Sequence, residues 1–272
     1  MKKRDFSTVI LILVFLVGLS LLLYPSVSDY WNSFHQSRAI ASYAEQVANI
    51  DNDIYAQLWE DARAYNQTLV GKENRFQITD EERETYESLL NVGGNGIIGY
   101  IEIAKIGCSL PIYHGTDEGV LQIAVGHIEG TSLPTGGEST HCVVSGHRGL
   151  PSAKLFSNLD QLAVGDVFLL RVLDETLTYQ VDQILVVEPE DMEPLAIFPG
   201  EDYCTLVTCT PYGINSHRLL VRGTRIETEE AAAVVHVTSD AAMLSPLIVA
   251  AVIAVPLLLV WFIGMMLFPR KR

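Results

Sequence analysis

Two long apolar runs lie near the ends of the chain. The first extends from Phe6 to Tyr24 and the second from Met243 to Phe268, and neither contains a charged residue. At about 1.5 Å per residue, each run is long enough to approach or exceed the ~30 Å hydrocarbon core of a bilayer. We therefore predict a transmembrane helix over residues 243–268. Residues 1–24 are either a membrane anchor or a signal peptide, and the lack of a clean small-x-small cleavage site favours the anchor.

The polarity pattern changes twice between these runs. Residues 29–69 carry apolar residues at helical spacing, which predicts one or two amphipathic helices. The polar, Glu-rich stretch over residues 70–96 predicts a loop with a short helix over Asp80–Leu90. From Gly99 onward, short alternating or apolar segments separated by turn signals predict seven or eight β-strands, among them YIEI, THCVVS and LTYQVDQILVV.

This pattern predicts how the chain is divided. A mainly β domain, a barrel or a sandwich, is expected over residues 97–227. The ranges around it are a helical connecting segment over 25–96, a tether over 228–242 and a basic tail over 269–272.

The charge distribution follows the same division. Lys-Lys-Arg precedes the first apolar run and Arg-Lys-Arg follows the second, which predicts cytoplasmic termini and an external location for residues 25–242. The whole chain has a formal net charge of −15. Without its two ends it keeps 12 of 18 basic and 32 of 33 acidic residues, a net charge of about −20. Such acidity is not typical of nucleic-acid binding, and the 49% apolar content excludes a disordered chain.

Four cysteines are present, at positions 108, 142, 204 and 209. An even number in an exported domain permits a disulfide, whereas the lack of a CxxC spacing argues against a zinc ribbon. Cys204 and Cys209 lie an odd number of positions apart on one predicted strand and face opposite ways, so we expect no disulfide between them.

The segment TLVTCTPYGINSHRLLVRG combines groups that nucleophilic catalysis needs. Cys209 ends one predicted strand, Pro211 and Gly213 turn the chain, and Arg218 begins the next strand. A hairpin would place Cys209 and Arg218 at the same end of neighbouring strands. A guanidinium there can donate to a carbonyl oxygen or an oxyanion without losing its charge. On spacing alone, a buried structural cysteine remains an alternative for Cys209.

A proton carrier is also needed, and two histidines compete for that role. His147 in VSGHRG ends an apolar strand before a Gly/Pro-rich loop, where functional side chains are often exposed. His217 is adjacent to Arg218. His141 and Cys142 are consecutive in a predicted strand, so they face opposite ways and cannot act together.

The motifs TLVTCTPYG, HRLLVRG and SGHRG resemble those of class C sortases, the pilus-assembling branch of that family. The blocks GYIEI, LPIYHGT, GHIEGTSLPTGG and NLDQLAVGD follow the same order, and the resemblance covers roughly residues 86–226. It implies a sortase-type closed β-barrel of about eight strands. It also implies that Cys209 is the nucleophile, His147 the general acid/base, and Arg218 the residue that positions substrate and stabilises the oxyanion. No metal or organic cofactor is implied.

The resemblance also implies a substrate and partners. A class C sortase cleaves an LPxTG-like sorting signal of an exported pilin or surface protein between Thr and Gly. It then transfers the thioacyl group to a lysine of an acceptor pilin, at the outer face of a Gram-positive cell membrane. Three alternatives are a sortase that attaches single proteins to the cell wall, a secreted cysteine peptidase, and a non-catalytic membrane-tethered β-barrel binding module. The order of His147 before Cys209 is opposite to that of papain-like peptidases.

One feature departs from the class C pattern. These enzymes often carry an N-terminal lid with an Asp-Pro-aromatic motif, and residues 63–90 contain no Asp-Pro pair. We expect a missing or degenerate lid, with Phe76 and a nearby acid as the alternative that replaces the motif. Deletion of residues 66–82 is then expected to change the peptide-cleavage rate only modestly.

Overall fold

The computed structural model describes residues 6–228. The predicted transmembrane helix over 243–268, nearly all of the tether and the basic tail fall outside the described residues.

Three helices precede the β-domain. They are α1 (Phe6–Ala48), α2 (Asn52–Leu69) and α3 (Asp80–Ser88). The first apolar run and the following amphipathic segment form one continuous helix. By length and composition, its portion Ile10–Ala48, with a mean hydropathy of 2.6, could cross a membrane. Helix α3 begins where Thr79 and Glu82 form a capping box, in which each side chain accepts from the other residue's backbone N–H.

Eight strands and one short helix follow. They are β1 (Ile97–Ile103), β2 (Cys108–His114), α4 (Glu118–Leu121), β3 (Val125–His127), β4 (Thr140–Ser145), β5 (Val167–Val172), β6 (Glu175–Val187), β7 (Asp202–Thr210) and β8 (His217–Ile226). The strands close into a barrel in the order β1-β2-β3-β4-β7-β8-β6-β5. The predicted closed barrel of about eight strands is thereby confirmed.

Two pairs of neighbouring strands are parallel, β2 with β3 and β4 with β7, whereas the other pairs are antiparallel. A parallel pair requires a long connection, because the chain must return to the same end of the sheet. The connection from β4 to β7 includes β5 and β6. Parallel pairing also brings the carboxyl ends of β4 and β7 to the same rim of the barrel.

The N-terminal helices are held to the barrel by buried polar groups. The hydroxyl of Tyr43 in α1 donates to the Ile98 carbonyl (3.1 Å) and accepts from the Leu173 N–H (2.8 Å). The amide of Asn66 in α2 donates to the Leu133 carbonyl (3.0 Å) and accepts from the Leu133 N–H (2.7 Å). Since both side chains are almost fully buried, these bonds fix the helices in register with the barrel.

Candidate active site

Cys209 and Arg218 are direct neighbours across the β7–β8 hairpin. Cys209 pairs with Arg218 in the antiparallel register, one position from the end of β7. Directly opposed residues have their Cβ atoms about 4.5–5.5 Å apart and on the same face of the sheet. The hairpin predicted from the sequence therefore brings the thiol and the guanidinium together.

His147 lies beside the same end of β7. Strand β4 runs parallel to β7 with Ser145 opposite Val207, and the Gly146 N–H then donates to the Val207 carbonyl (3.0 Å). The Thr208 hydroxyl donates to the Gly146 carbonyl (2.7 Å). Because these bonds continue the register by one residue, the next residues along the two chains are His147 and Cys209. The three predicted site residues thus meet at one rim of the barrel.

Side chains of β4, β7 and β8 form separate apolar clusters on the two faces of the sheet. Val144, Leu206 and Val221 belong to the core inside the barrel. An outer cluster consists of Val143, Leu195, Val207 and Leu220. Strand residues two positions apart share a face, so Cys209 lies on the same side as Val207, and Arg218 on the same side as Leu220. The nucleophile candidate therefore borders an apolar surface outside the barrel.

The Arg218 guanidinium is oriented by backbone carbonyls. Its Nη1 donates to the His217 carbonyl (3.1 Å) and to the Asn215 carbonyl (3.3 Å) of the β7–β8 loop. Arg218 takes part in no ion pair within residues 6–228. Its charge is therefore available to an oxygen atom of a ligand.

Arg148 is a site residue that the sequence reasoning missed. Its guanidinium forms an ion pair with Asp160, lies 3.4 Å from the Thr210 hydroxyl and lies over the Tyr212 ring at 5.9 Å. It thereby connects the residue after His147 to the residue after Cys209. The motif HRG is visible in the sequence, but its proximity to the β7–β8 loop depends on the parallel pairing of β4 with β7.

The other two histidines considered above have partners of their own. The Nε2 of His217 lies 3.2 Å from Glu188, and its Nδ1 lies 2.8 Å from the Ser216 hydroxyl. In His141, Nδ1 donates to the Ala196 carbonyl and Nε2 accepts from the Thr205 hydroxyl, both at 2.7 Å. Burial lowers the pKa of His141 to about 4. Both rings have defined structural contacts, which leaves His147 as the candidate proton carrier.

All four cysteines are free thiols. Cys204 is fully buried inside the barrel, whereas Cys209 is half-buried on the outer face, in agreement with the predicted alternation. Cys142 and Cys204 are in register on β4 and β7, a proximity that the sequence did not reveal. Burial raises the pKa of the Cys204 thiol well above its ordinary value, which favours an unreactive thiol.

The segment between α2 and α3 packs on the outer apolar cluster. Arg75 donates to the carbonyls of Gly130 (2.9 Å) and Leu195 (2.5 Å), and Phe76 contacts the cluster defined above. Gly130 has a φ of +80°, and a Cβ there would lie 2.1 Å from the Arg75 carbonyl oxygen, so only glycine fits. The region therefore lacks the Asp-Pro motif but still places an aromatic ring on the face that carries Cys209 and Arg218. This contact favours the alternative in which Phe76 replaces the motif.

Within residues 6–228, no group of three or more His, Cys, Asp or Glu side chains is arranged to hold a metal ion. The site described above consists of a thiol, an imidazole and a guanidinium, which can support acyl transfer directly.

Comparison with known proteins agrees with this geometry. The Sortase domain family matches residues 101–226. Two curated relatives are sortase D of Bacillus subtilis, 30% identical over 131 residues, and sortase A of Streptococcus agalactiae, 32% identical over 117 residues. These matches cover 47% and 42% of this chain and 63% and 47% of the relatives, so the chain spans less than two thirds of either relative's length.

Solved structures give longer matches. Sortase C1 of Streptococcus agalactiae is 52% identical, with a TM-score of 0.68, over 70% of this chain and 98% of that one. Sortase C of Streptococcus pneumoniae is 50% identical, with a TM-score of 0.64, over 70% and 97%. Sortase C of Clostridium perfringens, solved with the C-terminal cell wall sorting motif, is 44% identical, with a TM-score of 0.62, over 70% and 99%. Together with the closed barrel and the order of its strands, these matches show that the chain belongs to the sortase family, in its class C branch.

Proposed function

We propose that this protein is a cysteine transpeptidase that cleaves an LPxTG-like sorting signal between Thr and Gly and transfers the acyl group to a lysine amine of a pilin subunit. The observation that carries the proposal is the pairing of Cys209 with Arg218 beside the end of β4, where His147 follows. The 44–52% identity to class C sortases over most of their solved chains supports the same chemistry.

Each of the three residues has a defined role in this proposal. The Cys209 thiolate attacks the threonine carbonyl, and the Arg218 guanidinium stabilises the oxyanion that forms. When the peptide bond breaks, His147 protonates the leaving glycine amine. The acyl group then remains on Cys209 as a thioester.

The second half-reaction reverses the direction of proton transfer. A lysine amine attacks the thioester carbonyl and loses its proton to His147, and the Cys209 thiolate leaves. An isopeptide bond forms and the enzyme returns to its initial state. The sequence requires no redox partner, since the thioester and the amide have the same oxidation level.

The outer apolar cluster is proposed to bind the Leu-Pro part of the signal. Its members Val143, Val207 and Leu220 lie next to Cys209 and Arg218 in the register of the sheet. Apolar contact there would hold the peptide while backbone groups of the rim orient its carbonyl. Phe76 contacts the same surface and would have to move when a peptide enters.

We also propose that the protein is held in the cell membrane with its barrel outside. Helix α1 and the N-terminal basic cluster support an anchor of this orientation. The second predicted span, over residues 243–268, would make a hairpin with both termini cytoplasmic.

The proposal is tested by incubating the full chain, in detergent, with an LPxTG-type peptide. Mass spectrometry is expected to detect a thioacyl adduct on wild type and none on Cys209→Ala. Arg218→Lys keeps the charge but loses the planar fork, and we expect kcat/KM to fall about 100-fold or more. Arg171→Lys, on the far side of the barrel and paired with Glu102, is the matched control and should cleave at the wild-type rate.

The choice of acceptor separates the competing functions. Ligation to a lysine-bearing pilin peptide supports pilus assembly, whereas transfer only to an amino-terminal glycine peptide supports attachment of single proteins to the wall. A complete lack of adduct with every sorting sequence tested would favour a non-catalytic binding module and contradict the proposal.

A further inference from the structure

The apolar part of α1 is not covered by the rest of the protein. Leu11, Leu13, Leu21 and Leu22 are each 60–74% exposed. A helix that is apolar and exposed on all sides is stable when lipid surrounds it. The inference below rests on the proposed membrane anchoring of this helix, and the apolar run ends at Tyr24.

The barrel meets α1 immediately after that point. Asp29 accepts from the Lys154 backbone N–H (2.9 Å) and lies 3.6 Å from the Lys154 Nζ. Asn32 donates to the Ser152 carbonyl (2.8 Å). At 1.5 Å per residue, Asp29 is about 8 Å along the helix axis from Tyr24. Both partners belong to the loop that follows His147, so the rim of the candidate active site is held close to the end of the apolar run.

The β7–β8 loop lies at the same level. Tyr212 of this loop lines a cavity of about 520 Å³ together with Pro25, Asp29 and Tyr30 of α1. The loop also presents its apolar side chains to the outside, because Tyr212 is 64% exposed and Ile214 is 73% exposed. This loop directly follows Cys209.

Exposed aromatic residues of α1 surround the same level. Tyr30, Trp31 and Phe34 are 69%, 64% and 51% exposed, within about two and a half turns of Tyr24. Tyr and Trp are enriched where membrane proteins cross the boundary between acyl chains and water, since one part of each ring is apolar and another part is polar.

We propose that the interfacial layer of the bilayer covers this surface, which consists of Tyr30, Trp31 and Phe34 of α1 and Tyr212 and Ile214 of the β7–β8 loop. The loop that follows the nucleophile then rests on the membrane, and the rim that carries His147, Cys209 and Arg218 opens close to the lipid headgroups. A peptide would be processed at the membrane surface rather than at a distance from it.

The charges on this surface indicate which lipids it requires. Lys154 is paired with Asp29, and Arg148 with Asp160, so the basic groups near the rim are balanced by acids. The domain as a whole is strongly acidic. We therefore expect contact through apolar and aromatic side chains, with little dependence on anionic lipid.

A tryptophan probe tests the proposal in the full chain. Ile214→Trp places the probe on a side chain that is mostly exposed. Phe198→Trp is the matched control, because Phe198 is 40% exposed and precedes β7, about 25 Å from the Cys209 end of that strand. Each variant is reconstituted into phosphatidylcholine vesicles with and without lipid brominated near the top of its acyl chains. The emission of the unsubstituted chain, which has three tryptophans, is subtracted.

We expect the bromolipid to quench the emission added at position 214 at least about twofold more than that added at position 198, with no change when a third of the lipid is anionic. Tyr212→Trp provides a second probe in the same loop. Equal quenching at positions 214 and 198, or none at 214 and 212, would overturn the proposal, as would failure of the chain to float with vesicles. The readout requires no catalysis, so an inactive protein could still support the proposal, and an active one could contradict it.

Discussion

At the scale of single residues, Arg218 keeps most of its hydrogen-bonding capacity free for a ligand. A guanidinium has five N–H donors, and within the described residues only Nη1 has acceptors, both of them carbonyls in the β7–β8 loop. Those carbonyls hold the side chain beside Cys209 while Nε and Nη2 remain free. His141 is the opposite case, because both ring nitrogens are used inside the protein and burial keeps the ring neutral.

His141 predicts a loss of stability in mild acid. Its pKa is about 4 in the folded protein, against 6.5 for an ordinary histidine, because burial disfavours the charged ring. Between these values the unfolded chain binds a proton that the folded protein does not. The contribution is therefore fully present above pH 6.5 and is lost as the pH falls toward 4.

The measurement is urea unfolding at about pH 7.5 and about pH 4.5. In His141→Gln, the loss of unfolding free energy between the two values should be smaller than in wild type by about 2–3 kcal/mol. The exposed His35→Gln is the control and should retain the wild-type loss. An unchanged loss in His141→Gln would mean that other groups cause the acid sensitivity.

At the scale of elements, the segment between α2 and α3 is fixed at both ends and in its middle. Asn66 holds the end of α2 to the barrel, the Thr79–Glu82 capping box starts α3, and Arg75 is bonded to two backbone carbonyls between them. A segment held in this way can keep Phe76 on the apolar surface beside Cys209. Its removal should expose the surface that we propose binds the Leu-Pro part of a substrate.

The double variant Arg75→Ala, Phe76→Ala is expected to raise the rate of peptide cleavage about three- to tenfold. The peptide would no longer have to displace the Phe76 ring, and a threefold effect corresponds to only about 0.6 kcal/mol. Val70→Ala, an exposed position in the same segment, serves as the control and should leave the rate unchanged. A double variant as slow as wild type would instead support the modest effect that the missing motif predicts from sequence.

At the scale of the whole molecule, hydrophobicity and acidity are separated along the chain. The apolar runs lie near its ends, and the barrel and its helices contain nearly all of the acidic residues. A negative field around the barrel attracts cationic side chains within a Debye length, about 8–10 Å at moderate salt. We therefore connect the acidity of the domain to the approach of the lysine acceptor.

Added salt should accordingly slow ligation of a lysine-bearing acceptor several-fold between about 0.02 M and about 0.5 M ionic strength. Hydrolysis of the thioacyl enzyme by water provides the control, because water carries no charge to be attracted. A ligation rate that does not depend on salt would show that the acidity contributes only to solubility.

Much of the fold could be read from the sequence because its signals are local. Alternating segments such as LTYQVDQILVV correspond to β6, and the capping residues Thr79 and Glu82 begin the short helix expected from Asp80. The pairing of Cys209 with Arg218 was also predictable, since only a short hairpin separates them. The resemblance to a known family then selected a barrel from the alternatives that alternation alone left open.

The sequence by itself determined the amphipathic and apolar segments, the charge separation and the residues capable of acyl transfer. Only the tertiary structure decided which distant groups meet. The parallel pairing of β4 with β7 brings His147 and Arg148 to Cys209, and packing of α1 brings Asp29 to the loop after His147. It also places Phe76 on the outer apolar cluster. These contacts join residues far apart in the chain, and their stability depends on burial and register, which a local pattern does not encode.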